Sequence, residues 1–185
     1  MKIAIVGGIG SGKSEVLKTA REMGFACLSA DEINAELLLS PSYVQELSKL
    51  FPTVVQNGNI DKKALANIVF CDENAREQLN KLAHPLILDK IKYDTRSPLI
   101  VEVPLLFESG AEDMFDEIIA VVSPIGKRID RLKSSRGMQE DDILARINSQ
   151  VDDDEYLKVA THTIENDSSI CDLQAKTKEL FKLFL

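Results

Sequence analysis

Apolar positions in this chain cluster into short segments at Ile3 to Val6, Phe25 to Leu28, Leu99 to Val103 and Glu117 to Val122, with a shorter one at His162 to Ile164. Near-continuous apolar runs of this length predict strands buried on both faces, as in a parallel sheet. Helical spacing takes over between them. Val16, Leu17, Ala20 and Met23 share one face of a helix expected to stop at Gly24, and Leu173, Leu180, Phe181 and Phe184 share a face near the end. The late face is read as core packing rather than as a membrane or partner helix. Strands alternating with helices predict an α/β fold with a parallel sheet covered on both sides. One tract departs from that rhythm: Asp31 to Thr95 shows no good strand, and its periodic Leu, Ile, Val and Phe positions predict several helices broken at Pro41, Pro52, Gly58 and Pro85. A helical insertion of that size is where a nucleotide-binding core would place its second substrate.

The first strand runs straight into Gly7 to Ser14, "GGIGSGKS". Gly7, four residues, Gly12, Lys13 and Ser14 have the spacing of a phosphate-binding loop, whose backbone N–H groups surround a polyphosphate. The lysine reaches the outer phosphates and the serine hydroxyl ligates magnesium. A helix begins directly after the loop, so the anion sits at a helix N-terminus. The expected nucleotide contacts are Gly8, Ile9, Gly10, Ser11, Gly12, Lys13, Ser14 and Glu15, with Ser14 as the metal ligand.

The 185 residues, 44% of them hydrophobic, suffice for one domain with a substantial core and leave no room for two full domains. Net charge is −8, which argues against a nucleic-acid surface. A polyanion must then meet local positive charge. Lys127, Arg128, Arg131, Lys133, Arg136 and Arg146 concentrate much of it in "GKRIDRLKSSRGMQEDDILARINSQ", where Gly137 is expected to end one helix and Gln139 to Asp142 to begin another. These cations suit either the solvated faces of two surface helices or an arginine-bearing lid that closes over a nucleotide. The longest apolar run is interrupted by Glu102 and too short to span a membrane, and no signal peptide precedes the first strand, so a cytoplasmic location is expected. Cys27, Cys71 and Cys171 lack metal-ligand or C-x-x-C spacing.

A phosphate loop is common to motors, switches and kinases. The N-K-x-D base-reading motif of guanine-nucleotide switches is missing, and a small chain with a helical insert and a late arginine cluster fits a small-molecule kinase. In order, "GGIGSGKS", "ADEI" (Ala30 to Ile33), "NGNIDKKAL" (Asn57 to Leu65), "HPLI" (His84 to Ile87), "VPLLFESG" (Val103 to Gly110), Arg131-Leu132 followed by Arg146 and Gln150, and "IEN" (Ile164 to Asn166) resemble the dephospho-coenzyme A kinases over nearly the whole chain.

That resemblance implies a three-layer P-loop kinase fold with a parallel sheet, a core of about 1–30, 96–123 and 156–185, a helical substrate-binding insert of about 31–95 and a helical lid of about 124–155. It implies ATP-dependent phosphorylation of the ribose 3′-hydroxyl of dephospho-coenzyme A with Mg2+, by a monomer or small homo-oligomer with no nucleic-acid or membrane partner. Lys13, Asp31, Arg131 and Arg146 are the implied catalytic residues. Asn166 joins the ATP contacts, and Asp31, His84, Pro104, Leu105, Leu106 and Glu108 the acceptor contacts. Asp31 is also a candidate N-cap for a helix from Glu32. His84 before Pro85 equally suits a helix start. Glu102 is an acid that needs a partner if buried. Three positions depart from the family pattern: Ser29 where an acid is usual, Ala35 where an arginine is usual, and Ser135 where a lid arginine is expected, with Arg136 one place late. They leave open a related kinase acting on another nucleoside, nucleotide or sugar hydroxyl, and a nucleotide-binding regulator of weak or no activity.

Overall fold

The computed structural model describes residues 1–56, 58–103, 106 and 110–185. Two compact units result, one made of 1–28 and 95–185, the other of 29–94.

The first unit is built on a five-stranded sheet. Its strands are β1 (Lys2–Val6), β2 (Ala26–Ser29), β5 (Leu99–Glu102), β6 (Glu117–Val122) and β7 (His162–Glu165), in the order β2-β5-β1-β6-β7. β1 pairs in parallel with β5 and β6, and β6 in parallel with β7. The register sets Ile5 beside Glu102 and Val122 beside Glu165, so the carboxyl ends of these strands share one edge, the usual ligand crevice of such sheets. All four residues of β5 are buried, which is why it reads as an apolar run despite Glu102. Helix α1 (Lys13–Glu22) and helix α9 (Ile170–Phe181) pack together, and Val16, Leu17, Ala20, Leu173 and Phe181 join Ile3, Ile5, Ile119 and Val121 in one core. Phe25 and Phe181 meet edge to face at 5.4 Å. Three further helices, α6 (Ile125–Arg136), α7 (Glu140–Asn148) and α8 (Asp153–Val159), lie between β6 and β7 in the chain. Gly137, at φ 61, ends α6, and three acids open α7, as expected.

The second unit holds α2 (Ala30–Leu37), α3 (Pro41–Leu50), α4 (Lys62–Cys71) and α5 (Glu73–Tyr93) around Tyr43, Leu47, Phe51, Leu65, Ala75 and Ala83. The structure corrects two expectations here. The tract is not without strands: β3 (Val55–Gln56) and β4 (Asn59–Ile60) form an antiparallel hairpin, each too short to show a period. Nor does Pro85 break a helix. It lies inside the 21-residue α5, at a cost of about 3 kcal/mol for the lost hydrogen bond and the ring clash. Packing offsets that cost, since Ala83 is buried and Leu79, Leu82 and Ile87 press on the same core.

Among the described residues no helix is long and apolar enough to cross a membrane. Cys27 is buried, whereas Cys71 and Cys171 are exposed free thiols.

Candidate active site

The glycine loop connects the end of β1 to the start of α1. Gly12 caps α1 with no side-chain hydrogen bond, leaving the helix N-terminus to another ligand. Its φ of 112 belongs to glycine, and a Cβ there would come within 2.4 Å of the Asn166 amide nitrogen.

Five consecutive loop carbonyls are taken up by side chains. Lys13 Nζ donates to Gly7 O at 2.7 Å and Gly8 O at 3.1 Å. Arg128 Nε donates to Ile9 O at 2.8 Å, Arg131 Nη1 to Gly10 O at 3.0 Å, and Asn166 Nδ2 to Ser11 O at 2.7 Å. A carbonyl turned toward an outer donor leaves the N–H of the same trans peptide facing the opposite way. The loop is therefore held in the sense that an anion-binding nest requires. Within it, Ser11 Oγ is fully buried and has no hydrogen-bond partner among the described residues.

The arginines come from α6, where Arg128 and Arg131 lie one turn apart on the same side. Arg131 also donates to Ser123 Oγ at 2.8 Å and, through Nη2, to the Asn166 carbonyl at 2.9 Å. Ser123 in turn donates to Asn166 O at 2.6 Å. Burial pulls the Arg131 pKa below its ordinary value, yet a guanidinium remains a cation at neutral pH. The rest of the basic cluster is solvated: Lys133 pairs with Glu140, Lys127 reaches Asp167 O, and Arg136 and Arg146 are exposed. Arg136 is still helical, so it does not take the place of the missing arginine at Ser135, whose hydroxyl caps back onto Arg131 O at 2.6 Å.

Ser14 Oγ, at the start of α1, donates to Glu102 Oε1 at 3.2 Å. Glu102 is 9% exposed and closes the neighbouring strand β5. A hydroxyl next to a buried carboxylate at the mouth of a phosphate loop fits magnesium, which takes one or two protein oxygens and completes its shell with phosphates and water. No group of three or more His, Cys, Asp or Glu able to hold a metal alone exists among the described residues. Glu15, the next helical residue, accepts from Gln174 Nε2 at 2.7 Å.

In the second unit, Asp31 sits in the first turn of α2. It is not the cap expected for a helix from Glu32. Ser29 caps α2, accepting from the Asp31 N–H at 3.2 Å, while Glu32 accepts from the Ser29 N–H at 3.2 Å. This capping box leaves the exposed Asp31 carboxylate to other work. His84 is half-buried in the middle of α5, so the helix-start reading does not hold. Ala35 is exposed on α2. Pro104, Leu105 and Glu108 lie outside the described residues, and Leu106 is fully buried.

Sequence reasoning missed three members of the loop's surroundings: Ser123, Asp153 and the loop-bracing use of Arg128. Arg128 was legible as one turn before Arg131, but its acid partner is separated from it by two helices' worth of chain.

With this geometry in place, the sequence profile of the dephospho-CoA kinases matches residues 1–172. Dephospho-CoA kinase of Thermus thermophilus is 33% identical over 180 residues, covering 95% of this chain and 88% of that protein. The solved Thermus thermophilus protein TT1252 superposes with a TM-score of 0.83 at 31% identity, over 100% of this chain and 98% of the other. The solved dephospho-CoA kinase of Campylobacter jejuni gives 0.72 at 28% identity, over 98% and 96%.

Proposed function

The chain belongs to the dephospho-CoA kinase family, and from that premise we propose that it transfers the terminal phosphoryl group of ATP to the ribose 3′-hydroxyl of dephospho-CoA, giving CoA and ADP. The observation that carries the reading is the braced loop ahead of α1, with Lys13, Arg128, Arg131 and Asn166 all directed onto it.

In this mechanism the loop amides from Gly8 to Ser14, other than the Ile9 and Ser11 N–H groups already given to Gln150 and Gly8 O, and the N-terminus of α1 hold the phosphates, and Lys13 moves from the loop carbonyls to the outer phosphate oxygens. Ser14 and Glu102 would hold magnesium, which would supply positive charge to offset that of the phosphates. The acceptor's 3′-oxygen bonds to the γ-phosphorus while the bond from phosphorus to the β,γ-bridging oxygen breaks, and ADP leaves with that oxygen. Asp31 accepts a hydrogen bond from the 3′-hydroxyl and takes its proton as the new bond forms. Because the transition state is loose, Asp31 contributes more by orienting the hydroxyl than by early proton removal. Residues 29–94 act as the acceptor-binding insert, with His84, Pro104, Leu105 and Glu108 as further acceptor contacts. The α6 and α7 region acts as the lid. The acidic net charge supports an enzyme without a nucleic-acid partner, and we place it in the cytoplasm.

The test is mass spectrometry of acceptors incubated with ATP and magnesium, with a no-acceptor control. Dephospho-CoA is expected to gain one phosphate at the 3′ position. Consumption of another hydroxyl acceptor with dephospho-CoA untouched refutes the assignment.

Asp31→Asn is nearly isosteric, and Ser29 rather than Asp31 caps α2, so the variant is expected to keep its fold and its affinity for both substrates. Turnover is expected to fall about 10²-fold, the scale of a lost proton acceptor. Parent turnover removes Asp31 from the reaction.

A further inference from the structure

Arg128 is 4% exposed, the deepest of the described cations in an acidic chain. Its fork spans two partners: Nε donates to Ile9 O at 2.8 Å, and Nη1 faces Asp153 at 3.3 Å from Oδ1 and 3.4 Å from Oδ2. Asp153 opens α8 and is itself largely shielded, its side chain 30% exposed. The same short segment reaches the loop a second time, because Gln150 Oε1 accepts from the Ile9 N–H at 2.7 Å. Ile9 is thus gripped at both its N–H and its carbonyl, which fixes the two peptide planes on either side of it. With Ile9 O turned to Arg128, the Gly10 N–H across that trans peptide points away from the guanidinium, as a phosphate donor must.

Gly8 records the same closeness. Its backbone is not in the left-handed region, yet a Cβ there would lie 2.2 Å from Arg128 Nη2. The guanidinium, and not the backbone, reserves that position for glycine.

We propose that Arg128 and Asp153 form a positioning pair that sets the phosphate loop for the nucleotide and acts on ATP alone of the two substrates. The proposal rests on the assignment of the loop to ATP. A buried guanidinium without its acid is costly, so Asp153 offsets the charge of Arg128 and aims its fork, and Arg128 aims the loop. Lysine can keep the charge but not the fork.

Isothermal titration with a non-hydrolysable ATP analogue, and separately with dephospho-CoA, tests this in the parent, Arg128→Ala, Arg128→Lys and Asp153→Asn, together with KM, kcat and thermal unfolding. Arg128→Ala is expected to weaken the analogue about 10-fold or more and to raise KM for ATP in step, with dephospho-CoA affinity within about 2-fold of the parent. Asp153→Asn is expected to weaken the analogue about 3-fold, and Arg128→Lys to recover part of the alanine loss. Should the alanine variant not fold, the lysine and asparagine variants decide. Parent affinity for the analogue in both overturns the pair, as does a loss for both substrates that follows the fall in unfolding temperature. A parent protein that does not bind the analogue overturns the ATP assignment along with it, whereas parent binding with unaltered variants overturns the pair alone.

Discussion

Lys13→Ala is expected to lower turnover at saturating ATP and acceptor by about 10²–10³-fold, the loss seen when one preorganised donor to a developing charge is removed. The side chain is 8% exposed and donates to Gly7 O and Gly8 O, so it also has a structural role. The two contributions separate by size. Losing its hydrogen bonds to two loop carbonyls costs about 1–3 kcal/mol of stability, and Gly8 O keeps the Ser11 N–H at 3.2 Å. That is a modest fraction of a domain's stability of about 5–15 kcal/mol, so the variant stays folded. In the proposed mechanism Lys13 is a cation at the transferring phosphoryl group, where its effect falls on the barrier. The measurement is turnover of the variant after circular dichroism and thermal unfolding establish its fold. A folded variant that works at the parent rate takes Lys13 out of the site.

The strands, the loop and α1 were legible because each carries its signal locally: β1, β5 and β6 are buried on both faces, and a glycine loop between strand and helix has few other uses. What was not legible depended on distant partners or on competition between local and tertiary terms. Pro85 carries a breaker's signal, and α5 overrides it by packing Leu79, Leu82, Ala83 and Ile87 on one core. The β3–β4 hairpin has two residues in each strand, below the length at which alternation can be seen. Ser29 departs from the acid usual in the family, although Ser29-Ala30-Asp31-Glu32 is itself a capping-box pattern. Its serine has found work at the helix end. Glu102 could be recognised as a buried acid needing a partner, but only the parallel register, which sets it beside Ile5, brings it to Ser14. Arg128 and Asp153 illustrate the same limit: neither residue is informative until α8 folds back to the loop.

The arginines of α6 and α7 should divide sharply by position. Successive helical residues turn by about 100°, so Arg128 and Arg131 lie about 60° apart while Arg136 is about 140° round from Arg131. The structure agrees, with Arg131 on Gly10 O, Ser123 and Asn166 O and with Arg136 exposed at the last turn. Arg131→Ala is expected to lower turnover about 10²-fold or more, because it removes a brace of the loop and, in the proposed mechanism, a cation near the transferring phosphate. Arg136→Ala is expected to change it by less than about 2-fold, as an exposed arginine on a solvated face contributes little. Arg146 is exposed on α7 and its side chain makes no hydrogen bond among the described residues, so its alanine variant should leave the unfolding temperature untouched. If the lid brings Arg146 to the phosphates, that variant lowers turnover without raising KM for dephospho-CoA. The comparison is kcat and KM for the three variants beside their unfolding temperatures. An Arg136 effect equal to that of Arg131 means that α6 unwinds before its end during turnover, and no effect from Arg131 or Arg146 removes the lid from the mechanism.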